Sequence, residues 1–371
     1  MDTLPIETLQ HIFELACTDG GSTGNSLSLA SKHIRAAARR ARFHTLRVAA
    51  DSDTFPEFVA FFERECNYVR EERPRVRHLY LTLASIPYVI SETDRAQLML
   101  AVQAQLDRLR RGLPLEDRPP VSPSCSERAA QELVRLVAPD LWSLVVQTVP
   151  SGPRDVLQYF IFEHTFPLLR EAAFIGLLLP KRGRALSALH PNSDVKLSLR
   201  PIFPRITHLH LDPYLSTGEL GLASWAVLAP CVTHLRVSNI RNLTHTRELA
   251  EVVGVSWVHS TVPFGVEARS PESPSSSITP SRTCSSVQHL LIEPEAKSED
   301  RTRSRFCAHK PVWKSLSDIV DACRRADTNI QLTLLERPNP VPDVQYAEAL
   351  VEQWVERIEG GEGWWKGLGL N

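Results

Sequence analysis

The chain has no excess of basic residues. Its 371 residues include 42 lysines and arginines against 43 aspartates and glutamates, which gives a formal net charge of -1. A protein that binds nucleic acid usually carries a clear basic excess to neutralise phosphates. Short arginine runs lie at 39–42, 108–111 and 301–305, and such runs are typical of solvated faces and loops. We therefore expect no nucleic-acid partner.

Cysteine pairs and long apolar runs are also missing. The seven cysteines are scattered, their number is odd and no two form a CxxC motif, which argues against a disulfide framework or a zinc cluster. The N-terminus lacks the basic and apolar regions of a signal peptide. The longest apolar stretch, near 172–179, is far shorter than the roughly 20 residues that cross a bilayer. These absences predict a cytoplasmic or nuclear protein with no membrane partner.

Familiar catalytic and cofactor motifs do not occur. The sequence contains no GxxxxGK[ST], GxGxxG or HExxH motif, and no GxSxG lies at a strand-to-helix turn. Four histidines share one position of a repeated pattern described below, so we place them on separate strands and not around one metal ion; they are His78, His208, His234 and His289. We predict no enzyme activity, no cofactor and no metal site.

The first 42 residues carry the pattern of three short helices. Pro5 suits the first position of a helix that runs to about Cys17. One face of this helix is apolar, formed by Ile6, Leu9, Ile12, Phe13 and Ala16. Residues 19–25 break the helix, a second run starts at Leu27, and a third spans about 32–42. Helices this short bury little surface alone, so the segment is expected to pack against a partner.

The residues of this segment resemble the F-box. The stretch Leu4-Pro5-x-Glu7-x-Leu9-x-x-Ile12-Phe13 resembles the opening of the F-box pattern. The second half of that pattern resembles a later set of residues in this chain, namely Leu27, Leu29, Ser31-Lys32, Arg35, Ala38, Phe43 and Leu46. The match departs from the family pattern at Thr8 and Ala16, and residues 20–26 are an insertion that would lengthen the first inter-helix loop.

The resemblance implies a three-helix F-box over residues 1–46 that binds the Skp-type adaptor of a cullin-based ubiquitin ligase. The family pattern assigns adaptor binding to Leu4, Pro5, Leu9, Ile12, Phe13, Leu27 and Leu29. The chain would then be the substrate-recognition subunit of an SCF-type ligase, acting on an unidentified protein target. The alternative is an interaction scaffold without a ligase connection, in which the helical N-terminus is a cap.

A degenerate repeat follows the N-terminal segment. Each copy reads small residue or proline, x, apolar, x, x, apolar, x, apolar, and the copies start at Pro74, Pro139, Pro167, Pro204, Pro230 and Ser285. This spacing resembles the L-x-x-L-x-L strand of a leucine-rich repeat, although the intervals between copies are uneven. We predict an irregular leucine-rich-repeat-like α/β solenoid over residues 47–338. A generic α/β domain in which strands follow helices is the alternative.

Two segments stand outside the repeats. Residues 263–286 have the Ser/Pro-rich composition of a disordered loop. Residues 339–371 read as a C-terminal capping helix, Asp343 to Ile358, followed by a tail. The pair Trp364-Trp365 in that tail is expected to pack over the last repeat as a lid on the core.

The target surface is predicted on the concave face of the array, which the repeat strands line. Side chains between the apolar anchors point out of that face, and the candidate target-binding residues are Tyr80, His208, His210, His234 and Arg236. Such a set suits an acidic or aromatic partner segment. Histidines with the ordinary pKa of about 6.5 would bind an acidic partner more strongly at mildly acid pH.

Overall fold

The protein is described by a computed structural model that covers residues 4–68, 73–84, 125–149, 159–176, 201–213, 219–255, 284–295, 309–326, 328–335 and 343–366. The predicted disordered loop lies outside these ranges, apart from 284–286. The described part is a mixed α/β structure around an open, parallel sheet of eight strands.

Three helices form the N-terminal module: α1 (Ile6–Ala16), α2 (Ser22–Ala30) and α3 (Lys32–Ala38). Ser31 caps α3, since its hydroxyl accepts a hydrogen bond from the Ile34 backbone N–H at 3.1 Å. The module has a small core of its own, made of Leu9, Phe13, Cys17, Ala37, Ala38 and Ala41. Small alanines on α3 let the helices approach closely enough to enclose the two larger side chains.

The insertion at 20–26 is helical, which corrects the expectation of a longer loop. Gly20 and Gly21 make the turn with positive φ angles of 78° and 112°, and α2 begins at Ser22. The Asp19 carboxylate accepts hydrogen bonds from the Thr23 backbone N–H at 2.9 Å and the Thr23 hydroxyl at 2.7 Å. Gly24 allows α2 to lie on the chain backbone, because a Cβ there would be 2.2 Å from the Arg42 carbonyl oxygen.

The sheet keeps the order of the sequence, with every strand parallel to its neighbours. The strands are β1 (Thr45–Ala49), β2 (His78–Ala84), β3 (Ser143–Val149), β4 (Glu171–Ile175), β5 (His208–Asp212), β6 (His234–Ile240), β7 (His289–Pro294) and β8 (Gln331–Leu334). All six predicted repeat strands are present as β2–β7. The middle apolar residue of each repeat copy, called its anchor, pairs with the anchor of the next strand, so the anchors form one row across the sheet. This anchor row consists of Leu79, Leu144, Ala172, Leu209, Leu235 and Leu290.

The array extends one strand beyond the predicted repeats at each end. Leu46 in β1 continues the anchor row before Leu79, and Leu332 in β8 continues it after Leu290. The boundary predicted after residue 46 therefore falls inside β1. Phe43 and Leu46, which matched the F-box pattern, pack in the main core of the sheet and not in the N-terminal module.

The anchor row lies on the first face of the sheet, which is covered by helices. These are α4 (Phe55–Tyr68), α5 (Cys125–Val137), α6 (Leu222–Leu228), α7 (Leu243–Val253) and α8 (His309–Arg325), with a 3-10 helix at Tyr159–Glu163. A continuous aliphatic and aromatic core fills the space between strands and helices. Branched and aromatic residues dominate it, because both suit a pleated, buried surface.

The second face is covered by the end of the chain. Helix α9 (Asp343–Ile358) and the 3-10 turn Gly363–Trp365, together called the C-terminal clasp, pack on Tyr80, Val145, Ala173, Ile175 and Leu291. The turn needs glycine at Gly363, where φ is +52° and a Cβ would lie 2.4 Å from the Gln353 carbonyl oxygen. The sheet is thus buried on both faces over its central strands.

Candidate functional site

The second face of the sheet is the surface predicted to bind a target, and it is closed. Tyr80, His210 and Arg236 are buried in the structure, at 1%, 0% and 9% exposed. His208 and His234 are partly buried at the strand starts. The five residues do lie on one face, as the period-2 pattern requires. The clasp covers that face, so the prediction that these side chains form an open target-binding surface is wrong.

Glu171 anchors the clasp to the middle of the sheet. Its Oε1 atom accepts hydrogen bonds from the indole N–H groups of Trp364 at 2.7 Å and Trp365 at 2.9 Å. Its Oε2 atom accepts from Arg357 Nε at 2.9 Å. A buried carboxylate is costly unless it is paired and hydrogen-bonded, and all three donors come from the clasp. The Trp pair therefore packs on the central strands, and not over the last repeat as expected.

A second set of polar contacts fixes the clasp near the carboxyl ends of β5–β7. Arg236 donates to Glu293 Oε2 at 2.6 Å and also to the Trp364 carbonyl oxygen. Farther along, Tyr346 of α9 donates to Asp212, whose carboxylate also accepts from Asn239 Nδ2. Burial and the nearby Asp212 carboxylate hold the pKa of Tyr346 well above its ordinary value. These groups satisfy one another, as expected of a structural network.

The strand-initial histidines form a stacked column. The rings of His208 and His234 are 4.2 Å apart, and those of His234 and His289 are 4.4 Å apart. Burial lowers the pKa of both His208 and His234 to about 4. Parallel stacked rings do not converge their nitrogens on one point. The lowered pKa of His208 and His234 also contradicts the prediction that these two residues gain charge, and binding strength, at mildly acid pH.

The surface predicted to bind an adaptor is open in part. Pro5 and Leu4 are exposed, Ile12 is 44% exposed, Leu29 is 72% exposed and Leu27 is half-buried. In contrast, Leu9 and Phe13 are 1% and 3% exposed because they fill the module's own core. In this structure these two cannot face a partner, which corrects their predicted role.

Two apolar side chains of α1 that the pattern did not assign to binding are also exposed. Leu15 is 68% exposed and Ile6 is 43% exposed. Leu15 lies three residues after Ile12, a spacing that places both on one side of α1. The described residues have few other large apolar side chains in contact with water; the full set is Leu4, Ile6, Ile12, Leu15, Leu29, Phe61 and Trp142. Five of these seven side chains lie in the N-terminal module, so exposed apolar side chains of the described residues are concentrated there.

The described part of the chain gives no sign of a metal centre or a membrane anchor. No three His, Cys, Asp or Glu side chains within it are placed to hold a metal ion. None of the helices described above has the length and apolar character needed to cross a bilayer. The cysteines among the described residues are all free thiols. Comparison with protein-family models, curated proteins and solved structures gave no match to this chain.

Proposed function

We propose that this chain is the substrate-recognition subunit of an SCF-type ubiquitin ligase, with an F-box that binds a Skp-type adaptor and, through it, a cullin. The carrying observation is the N-terminal module, whose exposed apolar side chains have no partner surface among the described residues. The resemblance of residues 4–13 to the F-box opening names the partner class. The chain itself supplies no chemistry in this proposal: it joins an adaptor to a target, in the cytoplasm or nucleus.

The remainder of the chain suits a target-presenting scaffold. We infer that it is an irregular leucine-rich-repeat-like solenoid, because consecutive strands are parallel neighbours in the sheet and equivalent apolar anchors stand in one row. Stacked repeats of this kind make long, rigid surfaces for protein binding. Among the described residues the strand starts and the outer side of the helices remain available to a target, whereas the second face is occupied by the clasp.

A second candidate function, a scaffold without a ligase connection, is favoured by a different contact. The module packs on the first strand: the Arg47 backbone N–H donates to the Gly20 carbonyl oxygen at 3.2 Å, and Arg42 pairs with Glu65 of α4 at 2.6 Å. These contacts are those of a cap that covers the β1 edge of the sheet. In this alternative the exposed apolar side chains bind another protein, unrelated to a ligase.

Binding to a purified Skp-type adaptor separates the two. The full chain should bind the adaptor, and Ile12→Asp or Leu29→Asp should each weaken binding at least about tenfold, because an unpaired charge buried in an interface costs several kcal/mol. Both side chains are exposed in the free chain, so folding should be unchanged. Wild-type chain that fails to bind the adaptor leaves the scaffold as the surviving candidate.

The matched control is Phe61→Asp, which places the same charge on an exposed apolar side chain of α4 outside the module. It should leave adaptor affinity within about twofold. Equal losses from Phe61→Asp and Leu29→Asp would show that the added charge acts through the whole molecule, and the assignment of the surface to α1 and α2 would then be wrong.

A further inference from the structure

The residues just before the strands form a row along the amino edge of the sheet, separate from the apolar anchor row. Their backbone groups extend the ladder: Arg77 donates to His44, Trp142 to Arg77, and Arg170 to Trp142, at 2.8, 2.7 and 2.9 Å. Thr207, Thr233 and Gln288 continue the row in the same way. Since the backbone at this edge is already paired, the side chains decide what the row can bind.

An indole lies between two guanidinium groups in this row. Trp142 precedes β3 and is 40% exposed. The Arg77 guanidinium carbon, on the β2 side, is 4.5 Å from the indole centroid, and that of Arg170, on the β4 side, is 5.7 Å away. Stacking on an aromatic face holds the planar guanidinium in place while its N–H groups stay free to donate. The arrangement therefore presents hydrogen-bond donors in fixed positions and is not simply an apolar patch.

The charges around this stack are predominantly positive. Arg75 is exposed and near enough to lower the pKa of Arg77, after the larger effect of burial. Asp140 is the acidic neighbour, and it is paired with Arg73 while its backbone oxygen accepts from Arg77 Nη1 at 3.0 Å. Glu14 of α1 lies farther along the β1 side and acts on Arg77 more weakly. The exposed Arg170 has no carboxylate partner among the described residues.

We propose that Arg77, Trp142 and Arg170 bind an acidic peptide segment of a partner protein at the amino edge of the sheet. A guanidinium group can bind a carboxylate through two parallel hydrogen bonds, a bidentate geometry that a lysine cannot reproduce. The indole between them supplies an apolar plane for the rest of the peptide. Placed in the ligase complex this edge is the target's docking point, a role that rests on the proposed function; the peptide binding itself does not.

The extent of the row favours a peptide over a nucleic acid. Three neighbouring parallel strands span about 10 Å, the length of about three extended peptide residues. Beyond β4 the row continues in neutral side chains. A single-stranded nucleic acid is usually held by a longer positive groove that follows its backbone. The net charge of -1 gives no basic excess elsewhere to extend the site.

The test is fluorescence anisotropy of the full chain with a fluorescein-labelled Gly/Ser peptide that carries four spaced glutamates. The same peptide with glutamines is the matched ligand control, and unlabelled oligo-dT of equal charge is the competitor. Variants are Arg170→Gln and Trp142→Ala, with Arg324→Gln as the control arginine, which is exposed on α8. Thermal unfolding of each variant and its adaptor binding are measured alongside.

We expect the glutamate peptide to bind and the glutamine peptide not to bind. The affinity for the glutamate peptide should fall as the salt concentration is raised. Arg170→Gln should weaken binding about fivefold or more, whereas Arg324→Gln should stay within about twofold. Three results would each overturn the proposal. The glutamate and glutamine peptides could bind with equal affinity, or Arg170→Gln and Arg324→Gln could weaken binding equally. Oligo-dT could also displace the labelled peptide at a lower concentration than the unlabelled glutamate peptide does. Adaptor binding should be unchanged in every variant, so this site and the F-box assignment can fail separately.

Discussion

On its first face the sheet packs rows of aliphatic side chains against α4–α8, whereas on its second face it packs tryptophans and a chain of hydrogen-bonded charges against the clasp. The first face is filled by helices that lie between successive strands in the chain. The second is filled by one segment, residues 343–366, that reaches across the central strands. The comparison shows that local connections close one face and a single distant segment closes the other. Loss of that segment should expose the second face while leaving the first intact.

The largest effect is expected from removing the clasp. A chain that ends at residue 338 exposes Tyr80, Val145 and Leu291 and leaves Glu171 without its three donors. We expect a loss of several kcal/mol from a total unfolding free energy on the order of 5–15 kcal/mol, measured by urea unfolding followed by circular dichroism. Addition of a peptide spanning 339–371 should recover part of this stability. Equal stability of both chains would mean that the second face needs no cover.

Leu290 and Leu291 offer a matched pair on opposite faces. They are adjacent in β7 and fully buried, the first in the core beneath the helices and the second under the clasp. Leu290→Ala and Leu291→Ala should each cost about 2–5 kcal/mol in the full chain. In the chain ending at 338, the Leu291→Ala cost should shrink and the Leu290→Ala cost should persist. A nearly neutral Leu291→Ala in the full chain would indicate an open second face.

A smaller effect is expected from Glu171→Gln. The amide keeps one acceptor for the indole N–H groups but turns an N–H toward Arg357 Nε, so this partly buried donor loses its acceptor. We expect a cost of about 1–3 kcal/mol in unfolding free energy. The control is Glu251→Gln, which removes an exposed helix-surface pair with Arg247 and should cost under about 0.5 kcal/mol. Equal costs would show that the Glu171 network adds no stability beyond an exposed ion pair.

A further effect is expected from pH. Burial holds the pKa of His208 and His234 at about 4 in the folded chain, against 6.5 for an ordinary histidine. The unfolded chain therefore binds more protons between these values, and stability should fall as pH falls from about 6.5 to about 4. Urea midpoints across this range should show the slope, and the double variant His208→Gln/His234→Gln should reduce it. A slope that the double variant leaves unchanged would assign the effect to other groups, such as His78 and His210, whose pKa values burial also lowers.

The strands could be predicted because their signal is local. Six copies of one apolar spacing identified β2–β7 and their shared row. The first strand has the same spacing in Phe43, Leu46 and Val48, but Phe43 and Leu46 also match the F-box pattern. In β8 the pattern is broken, because Asn329 stands where an apolar residue precedes the anchor Leu332. Competing and degraded signals thus account for the two missed strands.

The closed second face could not be predicted from local pattern. Glu171, His208 and Arg236 are polar residues at alternate strand positions, which is the usual pattern of a solvated face. Glu171 accepts from two indole N–H groups and from Arg357, and Arg236 donates to the Trp364 carbonyl oxygen. These partners lie 128 to 194 residues away in sequence. The buried Leu9 and Phe13 were misassigned for a related reason: a helix face shows which side chains are apolar, and not which of them the module keeps for its own core.

The position of the clasp at the end of the chain has a consequence during synthesis. Trp354 reaches back 211 residues to Ser143, and Trp365 reaches back 194 residues to Glu171. At translation rates of about 5–20 residues per second, the central strands leave the ribosome roughly 10–40 seconds before the segment that covers them. For that interval the nascent chain presents uncovered strands bearing Tyr80 and Val145, and chaperones that bind exposed apolar strands have that long to act on them.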